Sequence, residues 1–290
     1  MRLSQKVERG VFTTIIEVFP PNFSAQAEKE PLIGIKPKLR DMVARVKKIE
    51  NLADAIMVAD MKETSRLELA SVYTSAVLRD ELGIEVIPVI PARDMNRKAT
   101  RTMFLTALSL GLESVALVWG DRYAETDDSK NVYDFRSLSE VIAEMRALAD
   151  RADINATILS PVDLSSLRTP RGLRLVRKRV ESGADGLLAQ PPTVEVSHTL
   201  EEHLRVLEEC GLTKRVLPNV FPFRDRDDIQ ACRTRFGWNL PTELDSMAVE
   251  GERRLLKEAR GVVEALRRRR LPGVYVSTRG KPELAKFILD

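Results

Sequence analysis

Residues 83–90 read Gly-Ile-Glu-Val-Ile-Pro-Val-Ile, and residues 111–118 read Gly-Leu-Glu-Ser-Val-Ala-Leu-Val. Each is a glycine, a short bridge and an apolar run too brief for a helix. A run that is apolar at consecutive positions, not at every second one, suits a parallel strand covered on both faces. A glycine suits the position just past a helix, because the left-handed conformation costs it no Cβ clash. Between the two runs, residues 96–110 carry helical spacing. Ala99, Met103, Ala107 and Leu110 fall on one face, with Arg97, Lys98 and Arg101 elsewhere. The repeating unit is therefore strand, helix, glycine, strand.

The unit recurs along the chain. Gly183-Ala184-Asp185 and Gly211-Leu212-Thr213 repeat the junction, and the spacing of 28 residues from Gly83 to Gly111 returns from Gly183 to Gly211. The 72 residues between Gly111 and Gly183 fit two units, with the middle junction near Arg151-Ala152-Asp153. Strands are predicted at Phe12–Phe19, Asp54–Ala59, Glu85–Ile90, Ser114–Trp119, Asp153–Leu159, Gly186–Ala189, Arg215–Val220 and Gly273–Val276. Eight such strands predict an α/β fold, a (β/α)8 TIM barrel spanning residues 1–290 as a single domain. An extra helical stretch at about 242–270 precedes the last strand. The competing open doubly wound sheet usually carries a Gly-rich phosphate loop, and neither GxGxxG nor GxxxxGK[ST] occurs.

Composition narrows the chemistry. The 290 residues are 43% hydrophobic, and 46 Lys plus Arg against 43 Asp plus Glu leave a formal charge of +3. That balance argues against nucleic acid or an anionic membrane as the main partner. The basic run Arg267–Arg270 reads as a solvated helix C-terminus. Cys210 and Cys232 lack metal-ligand spacing, and His198 and His203 offer little to a zinc site or a Ser-His-Asp triad, so no metal is expected. Without a signal pattern or a long apolar run, a cytoplasmic, soluble protein is expected.

In a barrel of this kind the reacting groups sit at the C-terminal ends of the strands. Those ends read Glu17-Val18-Phe19-Pro20-Pro21, Ala59-Asp60-Met61, Pro91-Ala92-Arg93-Asp94 and Trp119-Gly120-Asp121-Arg122 for the first four. The remainder read Ser160-Pro161, Ala189-Gln190-Pro191-Pro192, Pro218-Asn219-Val220-Phe221-Pro222 and Ser277-Thr278-Arg279. Glu17 is a carboxylate inside an apolar strand. Desolvation at the barrel mouth raises such a group towards the range of a general acid; the alternative is a buried Glu paired with an arginine. Asp121 follows a glycine that lets backbone approach a flat ligand, or is a turn carboxylate neutralised by Arg122. Gln190 offers donor and acceptor to a heterocycle, or is a satisfied core amide. Arg93 either meets a phosphate or, with Asp94, Asn96 and Arg97, starts a helix.

Taken in order, these motifs resemble the catalytic barrel of the 5,10-methylenetetrahydrofolate reductase family. Glu17-Val18-Phe19-Pro20-Pro21 is similar to its Glu-Phe-Phe-Pro-Pro, and Arg93-Asp94-Met95-Asn96-Arg97 to its Arg-Asp-x-Asn-Arg. Gly120-Asp121, the segment Gly183-Ala184-Asp185 to Gln190, and Pro218-Asn219-Val220-Phe221-Pro222, which is similar to Pro-Gly-Ile-x-Pro, complete the likeness over residues 9–280. The resemblance implies a flavoprotein oxidoreductase of one-carbon metabolism and methionine biosynthesis. It would reduce 5,10-methylenetetrahydrofolate, or a related tetrahydropterin, to the 5-methyl form. Glu17 would be the general acid that protonates the folate amine, and Asp121 the carboxylate between flavin and pterin. Gln190, Arg279 and Phe221 fall on the substrate side; Asp60, Arg93, Trp119, Gly120, Arg177 and Arg179 fall on the cofactor side. The implied cofactors are FAD and NAD(P)H or another electron donor. A homo-oligomer or an electron-donor protein partner is also implied.

The chain departs from the family pattern mainly beside the flavin. Val89-Ile90-Pro91-Ala92 stands for His-Leu-Thr-Cys, Trp119 for Thr or Arg, and Ser160-Pro161-Val162-Asp163 for a Gly/Ala-rich end followed by Pro-Glu-x-His-Pro. Flavin held tightly, held differently or absent all stay open at this point. So do two alternatives: a pterin-dependent methyl or one-carbon transferase, and a non-catalytic folate- or flavin-binding relative.

Overall fold

The computed structural model describes residues 3–24, 34–60, 66–192, 194, 199–278 and 280–290. Its core is one parallel sheet rolled into a barrel. The strands are β1 (Thr13–Val18), β3 (Ala55–Val58), β5 (Glu85–Pro91), β6 (Ser114–Val118), β7 (Thr157–Asp163), β8 (Gly186–Gln190), β9 (Val216–Leu217), β10 (Asn219–Val220) and β11 (Gly273–Ser277). Two short antiparallel strands, β2 (Asn22–Ser24) and β4 (Arg66–Glu68), pair outside it. The barrel order is β10-β11-β1-β3-β5-β6-β7-β8-β9. β9 and β10 are the halves of one strand divided at Pro218, which has no N–H to give the ladder. Its carbonyl still accepts from Tyr275 N at 2.9 Å. β9 pairs with β8 and β10 with β11, so the divided strand closes the circle and the fold is a (β/α)8 barrel.

Around the sheet lie α2 (Ile35–Lys47), α3 (Ser71–Leu82), α4 (Arg97–Ser109), α5 (Leu138–Arg151), α6 (Pro170–Glu181) and α7 (Thr199–Glu209), and α1 (Leu3–Glu8) precedes β1. After β10 come α8 (Arg226–Phe236), α9 (Glu243–Glu250) and α10 (Glu252–Arg268); α11 (Ala285–Leu289) ends the chain. The helical stretch expected at about 242–270 is thus two helices, broken at Gly251, whose φ of 106° is left-handed. Among the described residues, no helix is long and apolar enough to cross a membrane.

Side chains alternate along each strand. Ile15, Ala55, Met57, Ile87, Val89, Ala116, Leu159, Leu188, Leu217 and Tyr275 fill the barrel interior, and Leu3 of α1 joins them. Ile16, Val18, Ile56, Val58, Val115, Leu117, Val274 and Val276 face the helices. Both faces are covered, which is why the strands read as continuous apolar runs. On α4 the buried positions are Thr100, Phe104, Ala107 and Leu108, so the face is rotated from the expected Ala99, Met103, Ala107 and Leu110. The large ring of Phe104 sets that face.

One strand lies elsewhere than expected. The fifth barrel strand runs Thr157–Asp163, four residues beyond the predicted Asp153–Leu159. Asp153 has φ 53° and makes the post-helix turn that Gly83, Gly111, Gly183 and Gly211 make elsewhere. Ile154 N bonds back to Ala149 O at 3.0 Å, so the apolar Ile154 belongs to the helix end. Ser160 and Pro161 consequently lie inside the strand, and Asp163 ends it.

Candidate active site

Glu17 alternates with Ile15 along β1 and therefore points into the barrel near its C-terminal mouth. β11 lies beside β1, and Ser277 is the register partner of Glu17. Ser277 Oγ donates to Glu17 Oε1 at 2.7 Å, the Tyr275 hydroxyl donates to Oε2, and Thr278 Oγ1 donates to the Glu17 carbonyl at 2.6 Å. The side chain is 8% exposed. Burial holds the Glu17 carboxyl above the ordinary value of 4.5, with the Tyr275 and Ser277 hydroxyls pulling the other way. Burial likewise pushes the Tyr275 phenol well above its usual value, and the charge of Glu17 adds to this. No arginine pairs with the carboxylate among the described residues. Its neighbours are hydroxyls, which favour the charged form, and burial outweighs them in favour of the proton.

On the seventh and sixth strands a second polar pair faces the same interior. Asn219 Nδ2 donates to Gln190 Oε1 at 3.1 Å. Asn219 is fully buried and is the register partner of Tyr275, so β11 lies between the amide pair and the strand of the acid.

Around the ends of β3, β5 and β6 the expected residues meet differently. Arg93 is 2% exposed and held by two carboxylates. Its Nη2 bonds Asp60 Oδ2 at 3.0 Å and Asp94 Oδ2 at 2.6 Å, and its Nε bonds Asp94 Oδ1 at 2.8 Å. The Tyr123 ring lies 4.4 Å from the guanidinium, and Nη1 reaches the Asp121 carbonyl at 3.5 Å. Burial raises the Asp60 carboxyl to about 6 against the pull of Arg93. Asp60 also shares a side-chain hydrogen bond with Glu68. Burial and the bond to Asp94 push the Tyr123 phenol up to about 12. The expected phosphate contact is thus replaced by an internal ion cluster. Asn96 does start α4, accepting from Ala99 N at 2.9 Å.

Gly120 has φ 81°, and a Cβ there would lie 2.8 Å from the Arg93 Cβ. Its bare α-carbon makes room for Arg93, not for a flat ligand. Trp119 packs against the layer between sheet and helices and stacks on Tyr133, centroids 4.8 Å apart at 12°. Tyr133 in turn donates to the Gly120 carbonyl at 2.7 Å. The Asp121 side chain is exposed, at the end of a strand three places from β1 around the barrel.

Of the remaining expected residues, Arg177 and Arg179 lie apart from Glu17. Phe221 is buried in a satellite core with Phe223, Ile229, Leu244 and Met247, and its ring is 4.6 Å from that of Phe223. Arg177 is exposed on the last turns of α6, and Arg179 donates to the Pro161 carbonyl at 2.5 Å. That end of α6 leads into the start of β8, away from Gln190 and the mouth. Arg279 and His198 lie outside the described residues. Tyr275, Ser277 and Asn219 were not expected. The period-2 alternation of Gly273-Val274-Tyr275-Val276-Ser277, combined with closure of the last strand on the first, carries the clue to the first two.

A cavity of about 650 Å³ lies beside the mouth, lined by Val18, Phe19, Pro20, Lys38, Asp41 and Arg45. Val18 faces the helices, so this space is outside the barrel wall. A smaller one of about 160 Å³ touches Phe221, Ser277 and Thr278. Among the described residues no cluster of three His, Cys, Asp or Glu is placed to hold a metal ion.

The sequence model for methylenetetrahydrofolate reductase matches residues 2–259. The chain belongs to the methylenetetrahydrofolate reductase family. Among solved structures it is similar to an uncharacterised protein from Clostridium thermocellum that binds two copies of 5-methyl-5,6,7,8-tetrahydrofolic acid. Identity is 13% and the TM-score 0.65, with 98% of each chain covered. Oxaloacetate acetylhydrolase in complex with the product oxalate follows at 11% identity and TM-score 0.53, covering 98% of this chain and 81% of that one. A 2,3-dimethylmalate lyase gives 9% and 0.52, covering 95% and 79%. At these identities the likeness is one of fold. No curated protein matches the chain.

The flavin implied by resemblance to the methylenetetrahydrofolate reductase family does not fit the six residues expected to hold it. Arg93 is neutralised by Asp60 and Asp94, and the open side of Gly120 faces Arg93. Trp119 is stacked on Tyr133, and Arg177 and Arg179 lie along the far half of α6. The substrate-side pair of Glu17 and Gln190, by contrast, shares one interior.

Proposed function

We propose that this member of the family reduces 5,10-methylenetetrahydrofolate, or a related tetrahydropterin, to its 5-methyl form, with Glu17 as the general acid. One observation carries the reading: a carboxyl buried at the mouth, held above its ordinary pKa and touched by two hydroxyls. Opening the methylene bridge breaks a C–N bond, and without a proton the departing amine would leave as a poor anion. Glu17 delivers that proton, the bond opens, and the methylene carbon becomes an electrophilic iminium. Hydride from a reduced nicotinamide then adds to that carbon, giving the methyl group and oxidised nicotinamide. Asp121, exposed at a strand end across the barrel, orients the ring, and Gln190 contacts it. The folate bound by the Clostridium thermocellum protein supports the same ligand class here. The test is nicotinamide oxidation that depends on the methylene folate and stops in Glu17→Gln.

A second reading, a pterin-dependent one-carbon transferase, is favoured by the flavin misfit alone. Methyl transfer to a thiol with no nicotinamide oxidation would establish it over the first.

A further inference from the structure

Asn219 stands where the similar family motif, Pro-Gly-Ile-x-Pro, has a glycine, so a side chain occupies a place that the motif leaves bare. It faces the barrel interior, two residues beyond the inward Leu217 and in register with the inward Tyr275. The residue is fully buried, and its Oδ1 has no hydrogen-bond partner. Native interiors hold few such orphaned carbonyls, and each calls for a physical account.

The partner of Asn219 completes the pattern. Its Nδ2 donates to Gln190 Oε1, which leaves the Gln190 amino group without a partner among the described residues. Two adjacent amides are thus joined to one another by one end each. Their other ends are one acceptor and one donor, carried on neighbouring strands. Exchanging O and N in both amides would move the free acceptor to Gln190 and the free donor to Asn219, so the reading follows the orientation in which Asn219 Nδ2 donates.

We propose that Asn219 and Gln190 together read a cis-amide edge of the bound ring, a carbonyl next to an N–H. Asn219 Oδ1 accepts the ring N–H, and the Gln190 amino group donates to the ring carbonyl. The inference rests on the pterin reading of the mouth and sharpens it. A 4-oxo pterin has this edge. A 4-amino ring reverses it, with a donor in place of the carbonyl and a ring nitrogen acceptor in place of the N–H. A site built around buried polar groups rejects the reversed analogue because those groups are left unpaired.

Calorimetric titration of the full chain with 5-methyltetrahydrofolate and with its 4-amino-4-deoxy counterpart tests this. The wild type is expected to prefer the oxo ligand by about 10–100-fold, and Asn219→Ala to narrow that ratio to less than about threefold. Should Asn219→Ala fail to fold, the wild type titrated with an N3-methylated oxo ligand gives the same test, since the methyl removes the N–H that Asn219 accepts. Loss of preference with cooperative unfolding retained, or rejection of the N3-methyl ligand, supports the assignment. An equal weakening of both ligands in Asn219→Ala, with the ratio unchanged, would make Asn219 a mere support of Gln190 and overturn it. A wild type that binds both ligands alike overturns this assignment only. A wild type that binds neither overturns the folate reading with it.

Discussion

Tyr275 donates its hydroxyl to Glu17 Oε2 across the seam where the last barrel strand meets the first. Neither residue is near the other in sequence, and both are buried at the same end of the interior. A carboxyl in this setting carries a proton more readily than one in water, because its charge is desolvated and only hydroxyl dipoles offset that cost. The relation gives the barrel mouth an acid whose strength is set by its neighbours.

Glu17→Gln is the direct test of that acid. Glutamine keeps the shape and hydrogen-bonding capacity but cannot supply the proton. Reductase turnover is expected to fall by about 10²–10⁴-fold. Cooperative thermal unfolding should persist, since no buried charge is created. Folate-dependent nicotinamide oxidation measures the first and calorimetry the second; a near-normal rate would remove Glu17 from the acid role.

Tyr275→Phe separates the hydroxyl from the ring's packing. The Tyr275 hydrogen bond favours the charged form of Glu17, so its loss raises the Glu17 pKa further. Activity that requires protonated Glu17 should then extend to higher pH in the variant than in the wild type. A pH–rate profile whose falling limb stays put, or moves down, would show that Tyr275 serves packing alone.

Asp60→Asn reports on the ion cluster through stability. The Asp60 carboxyl is raised from 3.8 to about 6, so the folded state binds its proton more tightly than the unfolded chain. Its contribution is fully present below the unfolded value and is lost as pH rises through about 6. Asparagine cannot titrate, and the fall in stability across that window should shrink by on the order of 3 kcal/mol. Urea denaturation at several pH values checks this; an unchanged slope would mean the group does not titrate there.

Gly120→Ala tests why a glycine ends the fourth barrel strand. Its φ of 81° strains any other residue, and the new methyl would meet the Arg93 Cβ at 2.8 Å. A loss of about 1–3 kcal/mol is expected. If Gly120 instead served only to admit a ligand ring, the variant would unfold like the wild type and lose binding alone.

Much of the barrel was legible because buried parallel strands announce themselves as apolar runs and glycines mark the helix ends. The fifth strand was misplaced because Asp153 adopts the turn conformation that glycine takes at the other junctions. Ile154 then reads as strand although it belongs to the turn. Glu17 stood out as a carboxylate among apolar neighbours. Tyr275 did not, since a tyrosine between valines reads as core, and its partner lies 258 positions away. Arg93 could be read as a phosphate ligand because the carboxylate of Asp60 and the ring of Tyr123 reach it only through folding.

That cluster leads to the last prediction. Arg93, Asp60 and Asp94 satisfy one another, and Gly120 is committed to the space beside them. A flavin phosphate arriving there would have to separate the buried Arg93 guanidinium from Asp60 and Asp94, leaving the partly buried Asp60 carboxylate without its cation, which is unfavourable. The purified chain is therefore expected to be colourless, to gain no bound flavin after incubation with FAD and gel filtration, and to oxidise reduced nicotinamide with a methylene folate present. A yellow protein whose flavin bands bleach on adding reduced nicotinamide would sink this expectation. It would also require Arg93 to abandon Asp60, an exchange that a crystal structure of the yellow protein would show directly.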